Sequence, residues 1–135
     1  MPSQYGTDRI HHPRKSPITD TTTAPGAPPD APPQTILGHM RRMLTGEVPA
    51  PPVARLVGFT MDEIEPGRTV FRMEADERHA NPMGTLHGGI LCDLADAAMG
   101  TAWGSTLAEG ESYTTVELKI NFMRPVWRAT LTAEG

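Results

Sequence analysis

Apolar positions along the chain change their spacing several times, and each change marks an element. From Gln34 to about Thr45, Ile36, Leu37, Met40 and Leu44 recur at the spacing of one helical face, and Gly46 follows where a helix would stop. A short amphipathic helix is predicted there. After the Pro49 to Pro52 break, Arg55 to Glu63 carries several strand formers. Pro66-Gly67 then signals a turn before Thr69 to Ala75, where Val70, Phe71 and Met73 favour a strand, so the two runs predict a hairpin. Gly88 to Leu107 returns to helical period, with Leu91, Leu94, Ala95, Ala98 and Ala102 as the stripe of a buried helix. Beyond the Glu109-Gly110-Glu111 loop, Tyr113 to Met123 alternates in part, with Val116, Leu118, Ile120 and Phe122 on one face and Glu117, Lys119 and Asn121 on the other. This is the clearest strand pattern in the chain. Arg124-Pro125 interrupts it, and Trp127 to Ala133 begins a further strand. No internal repeat is visible.

The predicted second helix is unusual in its lack of bulk. Ala95, Ala97, Ala98, Gly100, Ala102 and Gly104 crowd one element, although glycine costs about 1 kcal/mol in a helix interior. Close approach of surrounding backbone would compensate, as when a sheet curls tightly around a single central helix.

Composition separates the first quarter of the chain from the rest. Of the 14 prolines, Pro2, Pro13, Pro17, Pro25, Pro28, Pro29, Pro32 and Pro33 precede Gln34, in a tract with almost nothing large and apolar. Such a tract cannot bury enough surface to offset its ordering entropy, so residues 1–33 are expected to be a disordered Pro-rich tail and 34–135 a single domain. The His11, His12, Arg14 and Lys15 cluster in that tail reads as a solvated patch. A net charge of −4 and a pI near 5.7 supply no cationic field over the molecule for nucleic acid or anionic lipid. No window approaches the roughly 20 apolar residues of a membrane span, and the N-terminus offers no apolar signal core. Cys92 is the single cysteine and sits in an apolar stretch, as a small core residue in a reducing, cytoplasmic compartment would. His79, His87 and Cys92 lack ligand spacing and a fourth partner, so no metal and no cofactor are expected.

Candidate chemistry clusters before and within the slim helix: Asn81-Pro82-Met83-Gly84, then His87-Gly88-Gly89, then Asp96. The two glycines stand at a helix N-terminus, whose free N–H groups and positive dipole end favour a developing anion such as the oxyanion of a carbonyl under attack. They would let a substrate carbonyl approach the backbone closely; the plain alternative is a turn. Asp96 lies among Leu94, Ala95, Ala97 and Ala98 on a helix that should be largely buried, a costly place for an ionised carboxylate. A general base or nucleophile for acyl transfer to water would explain it, and so would a cap, a hidden partner or a water-facing position. Asp93 reads as a solvent-facing companion.

Geometry adds a conclusion the residue types do not carry. Gly88 and Asp96 are eight positions apart, roughly 12 Å along one helix. They cannot both touch one carbonyl. If both act on one group, they come from different protomers, and a two-fold dimer would hold two such sites.

The run Asn81-x-x-Gly84-x-x-His87-Gly88-Gly89, with Leu94-Ala95-Asp96 and the later Thr115-Val116-Glu117-Leu118-Lys119-Ile120-Asn121-Phe122-Met123-Arg124-Pro125, resembles the hotdog-fold thioesterase superfamily, in its PaaI-like branch. The resemblance covers roughly residues 50–135. It implies an α+β hotdog fold, a curved antiparallel sheet wrapped around one long central helix, assembled as a homodimer or homotetramer and hydrolysing acyl-CoA to acid and CoA. By position, it implies Asp96 as the catalytic carboxylate, Gly88 as the main oxyanion donor, and Asn81 as the amide that positions water or thioester. His87 would order the start of the helix and contact the carbonyl region, or be a structural histidine fixing the turn. Thr115 matches a hydroxyl position assisting the water, with Thr114 as its neighbour. Gly89 belongs to the substrate-binding loop, and Arg124 or Arg128 could meet phosphate of the CoA nucleotide.

One departure stands out. The family continues past the Trp127 strand with a further pair of strands, whereas this chain stops at Gly135. The expected sheet therefore lacks its last strands and would expose an unpaired edge. A non-catalytic acyl-CoA sensor or inactive remnant is the alternative function, which Asp96 argues against. A hotdog dehydratase fits poorly, since its histidine and carboxylate would act together on the acyl chain.

Overall fold

The computed structural model describes residues 35–135. The tail and its histidine cluster lie outside the described residues. Helix α1 spans Ile36–Leu44, where Thr35 caps the N-terminus by accepting the Gly38 N–H at 3.1 Å. A short helix α2, Pro52–Val57, follows. It corrects the strand tendency read from Arg55 onward: Pro52 occupies the first helical turn, where its missing N–H costs nothing, and Gly58 at φ 90° ends the helix in the left-handed conformation. Six residues are too few for period to show.

Strands β1 (Phe59–Glu65) and β2 (Arg68–Ala75) form the predicted hairpin, and β3 (Ala129–Glu134) pairs antiparallel with the far edge of β2, giving the order β1-β2-β3. The hairpin contains a bulge between Met61 and Glu63, which switches the inward positions of β1 from Phe59 and Met61 to Ile64. Those three residues stand opposite Met73, Phe71 and Thr69. On the other side, Leu131 and Ala133 stand opposite Met73 and Phe71. One face of the sheet is thereby made apolar across all three strands.

That face packs on α3, Gly88–Gly104, the long central helix. Phe59, Phe71, Met73, Leu94 and Ala98 form the core with Ala54 and Val57, and the Phe59 and Phe71 rings meet edge to face at 5.8 Å. Two polar ties fix helix to sheet. The buried Thr69 hydroxyl donates to the Ala98 carbonyl at 2.7 Å, and Ser105 Oγ accepts the Gly67 N–H at 2.8 Å while donating to the Ala102 carbonyl at 2.7 Å. Ala98, 1% exposed, is also approached by the residue after β3, because a Cβ on Gly135 would collide with its carbonyl oxygen. The expectation of close backbone approach to a slim helix holds at this point.

The strand predicted over Tyr113 to Met123 is not formed: the stretch has no ladder partner among the described residues. It lies along α3 instead. A Cβ on Gly104 would stand 2.6 Å from the Tyr113 ring, and one on Gly88 2.9 Å from the Phe122 ring. These glycines are sixteen residues apart, about 24 Å of helix, so the nine steps from Tyr113 to Phe122 advance roughly 2.7 Å each, not far short of a strand's rise. The backbone is extended, yet neither edge meets another strand. Alternation specifies a two-faced chain and says nothing about where its hydrogen bonds go.

Candidate active site

The start of α3 is built by three constraints. His87 caps it, its Nδ1 accepting the Gly89 N–H at 2.9 Å, while the Ile90 N–H reaches the His87 carbonyl at 3.1 Å. Ahead of the cap, the Leu86 N–H binds the Val126 carbonyl at 2.7 Å and the His87 N–H binds the His79 carbonyl at 2.8 Å. His79 itself is buried: its Nδ1 accepts the Asp76 N–H at 3.2 Å and its Nε2 meets the Val57 carbonyl at 2.9 Å, which puts the proton on Nε2. It is a satisfied core histidine. The Gly89 N–H is used by the cap, whereas the Gly88 N–H has no partner among the described residues.

Gly88 opens onto a cavity of about 450 Å³ shared with Asn81, Phe122 and Arg124. Asn81 holds the loop ahead of it. Its Oδ1 accepts the Met83 and Thr85 N–H groups at 2.9 and 3.2 Å, and its Nδ2 donates to the Thr85 hydroxyl at 2.8 Å. One amide hydrogen of Asn81 is left for another acceptor. Gly84, at φ 80°, completes this turn in a conformation that favours glycine. Of the two arginines, Arg128 is paired with Glu77 at 2.5 Å, while Arg124 lies on the cavity wall.

Asp96 lies farther along α3 and does not line this cavity. It is half-buried, and its Oδ1 accepts the Thr115 hydroxyl at 2.7 Å. The hydroxyl that reaches it thus comes from Thr115 and not from Thr114. The structure brings together Asn81, Gly88 and Arg124 at one place and Asp96 and Thr115 at another. His87 and Gly89 serve the helix cap, and Arg128 faces Glu77.

Tyr113 is the neighbour that periodicity did not reveal. Its ring rests on Gly100 and Gly104, and the Thr101 side chain lies near its hydroxyl. Burial, and then the nearby Asp96 charge, push its phenol above the ordinary tyrosine range. Glycines four residues apart on a helix were the available signal, because that spacing opens a flat slot on one face.

Among the described residues, no helix is long and apolar enough to cross a membrane, and no group of three histidine, cysteine or carboxylate side chains could hold a metal ion.

The family described as "Domain of unknown function (DUF4442)" matches residues 42–134. Human acyl-coenzyme A thioesterase 13 is 30% identical over 87 residues, 64% of this chain and 61% of that protein. The crystal structure of a phenylacetic acid degradation-related protein from Ralstonia eutropha superposes with a TM-score of 0.63 at 30% identity, covering 70% of this chain and 73% of the other. The E. coli PaaI protein, from the phenylacetic acid degradation operon, superposes with a TM-score of 0.60 at 26% identity, covering 74% and 70%. A long helix under an antiparallel sheet, with His87-Gly88-Gly89 at its start, thus defines a hotdog-fold protein. This chain belongs to the DUF4442 family and to the PaaI-like branch of the hotdog thioesterase superfamily. It spans about two-fifths to three-fifths of the length of the curated relatives it matches.

Proposed function

We propose that the protein hydrolyses an acyl-CoA thioester to a free acid and CoA, at sites that each combine Gly88 and Asn81 of one chain with Asp96 and Thr115 of another. The observation that carries this reading is the division of α3: a free N–H over a cavity at its first residue, and a hydroxyl-bound carboxylate eight residues on. Each half is incomplete for acyl transfer. A two-fold pairing that sets α3 against its copy in opposite directions brings unlike halves together twice.

In such a site the thioester oxygen points at the Gly88 N–H, which strengthens its hydrogen bond as the oxygen gains charge. Asp96 either takes a proton from water as that water adds to the carbonyl carbon, or adds to the carbon itself and is released by water in a second step. Both routes break the carbon–sulfur bond and leave CoA as the thiol. Thr115 fixes one carboxylate oxygen and leaves the other for the reaction. The remaining Asn81 amide hydrogen orients water or thioester, and Arg124 meets a phosphate of CoA at the cavity mouth. The names of the human relative and of the phenylacetic acid degradation proteins support the substrate class.

Thiol release from a panel of aryl and aliphatic acyl-CoAs tests the proposal. Turnover by the wild-type chain, reduced by at least about a hundredfold in Asp96→Asn, is expected. Equal turnover by both would overturn the role of Asp96; binding without turnover by either would favour an acyl-CoA sensor.

A further inference from the structure

A second cavity is lined by none of Asn81, Gly88, Asp96, Thr115 and Arg124. It measures about 350 Å³ and is roofed by α1 and α2, with Met40, Met43, Ala54, Met61, Ala97 and Thr101 among its walls. None of the side chains that line it is charged. Helix α1 explains why the space persists. Its apolar positions follow the helical period, yet none of its residues is fully buried, so its apolar face overhangs the cavity where a core helix would fill it. Water gains few hydrogen bonds in such a space, whereas an apolar group gains contact with three flexible methionine side chains.

Position relates this cavity to the carboxylate. Viewed down α3, Ala97 is turned roughly 100° from Asp96 and Thr101 roughly 140° in the same sense, so the cavity occupies the flank beside Asp96. Gly100 and Gly104 fall between, at roughly 40° and 80°. Tyr113 fills that interval, with its ring on both glycines and its hydroxyl near Thr101, a wall residue of the cavity.

Resting on the thioesterase reading, we infer that this cavity receives the acyl group of the substrate and that its volume limits the length of that group. A cavity of about 150 Å³ holds one benzene, so this one takes about two rings' worth of carbon, roughly a dozen atoms. Aryl-acyl and medium-length chains fit; a palmitoyl chain does not.

Binding of free acids by the full chain tests this without turnover. With methyl-labelled methionine, decanoate is expected to shift the Met40, Met43 and Met61 resonances and to leave Met83 and Met123, which are 84% and 89% exposed, unmoved. Palmitate should bind at least tenfold more weakly than decanoate. Val53→Trp, at a half-exposed lining position, should weaken decanoate tenfold and hexanoate little. Shifts confined to Met83 and Met123, equal binding of palmitate, or no binding of any acid would overturn the assignment. A chain that releases thiol without these shifts loses only the cavity assignment; one that shows the shifts without thiol release loses only the enzyme assignment.

Discussion

Strand β2 and the stretch from Tyr113 to Met123 carry similar alternating sequence and end in opposite surroundings. In β2, flanked by β1 and β3, Phe71 and Met73 are 7% and 1% exposed. In the stretch, Val116 is 95% exposed, Phe122 56% and Met123 89%, and no ladder forms. The difference lies in partners and not in pattern: β2 finds an edge on either side, whereas among the described residues the stretch lies along the slim face of α3 and pairs with no strand. An apolar, unpaired, extended run beside Asp96 and Thr115 is what the proposed site, shared between two chains, would present in one chain alone.

Breaking the paired region should have the largest effect on stability. Met73→Ala removes a nearly inaccessible side chain from the core and should cost about 2–5 kcal/mol, seen as a lower denaturant midpoint. Gly104→Ala tests how the stretch is seated, since the new Cβ would meet the Tyr113 ring at 2.6 Å; about 1–3 kcal/mol is expected, with a change in tyrosine fluorescence. Thr115→Val sharpens the contrast by removing only the hydroxyl on Asp96. Thiol release should fall by about tenfold, with the denaturant midpoint unchanged. Val116→Lys should leave the fold intact within about 0.5 kcal/mol, while sedimentation shows weaker self-association.

The smallest effect concerns acid. The Arg78 guanidinium and its N–H hold Asp76 down to about 2 from 3.8. A carboxyl depressed in the folded state contributes stability that is present above pH 3.8 and lost as pH falls through about 2. Asp76→Asn should therefore flatten acid unfolding in that window and change little in the pH dependence near neutrality.

Much of this architecture was legible because period and punctuation agreed. Helix α1 had its apolar face and Gly46, the hairpin had Pro66-Gly67, and α3 had its stripe. Helix α2 was not legible, since Val53, Leu56 and Val57 suit a strand equally well and only the proline start and the left-handed Gly58 decide otherwise. The missing ladder of the Tyr113 stretch was not legible either, because strand pairing is a property of neighbours. At the site, Asp96 stood out by its cost in an apolar helix and Gly88 by its place at a helix start. Tyr113 did not, since a tyrosine in an alternating run looks like any strand former. The glycines it rests on stand out in the sequence, but the close approach they accommodate comes from aromatic rings as well as from backbone.

The most direct test of a site shared between two chains is thiol release from a mixture of Asp96→Asn and Asn81→Ala chains, each inactive alone. Random re-pairing makes half the dimers mixed, each with one intact site of two, so roughly a quarter of wild-type activity per chain should return. No recovery in mixtures whose heterodimer content has been verified would contradict it.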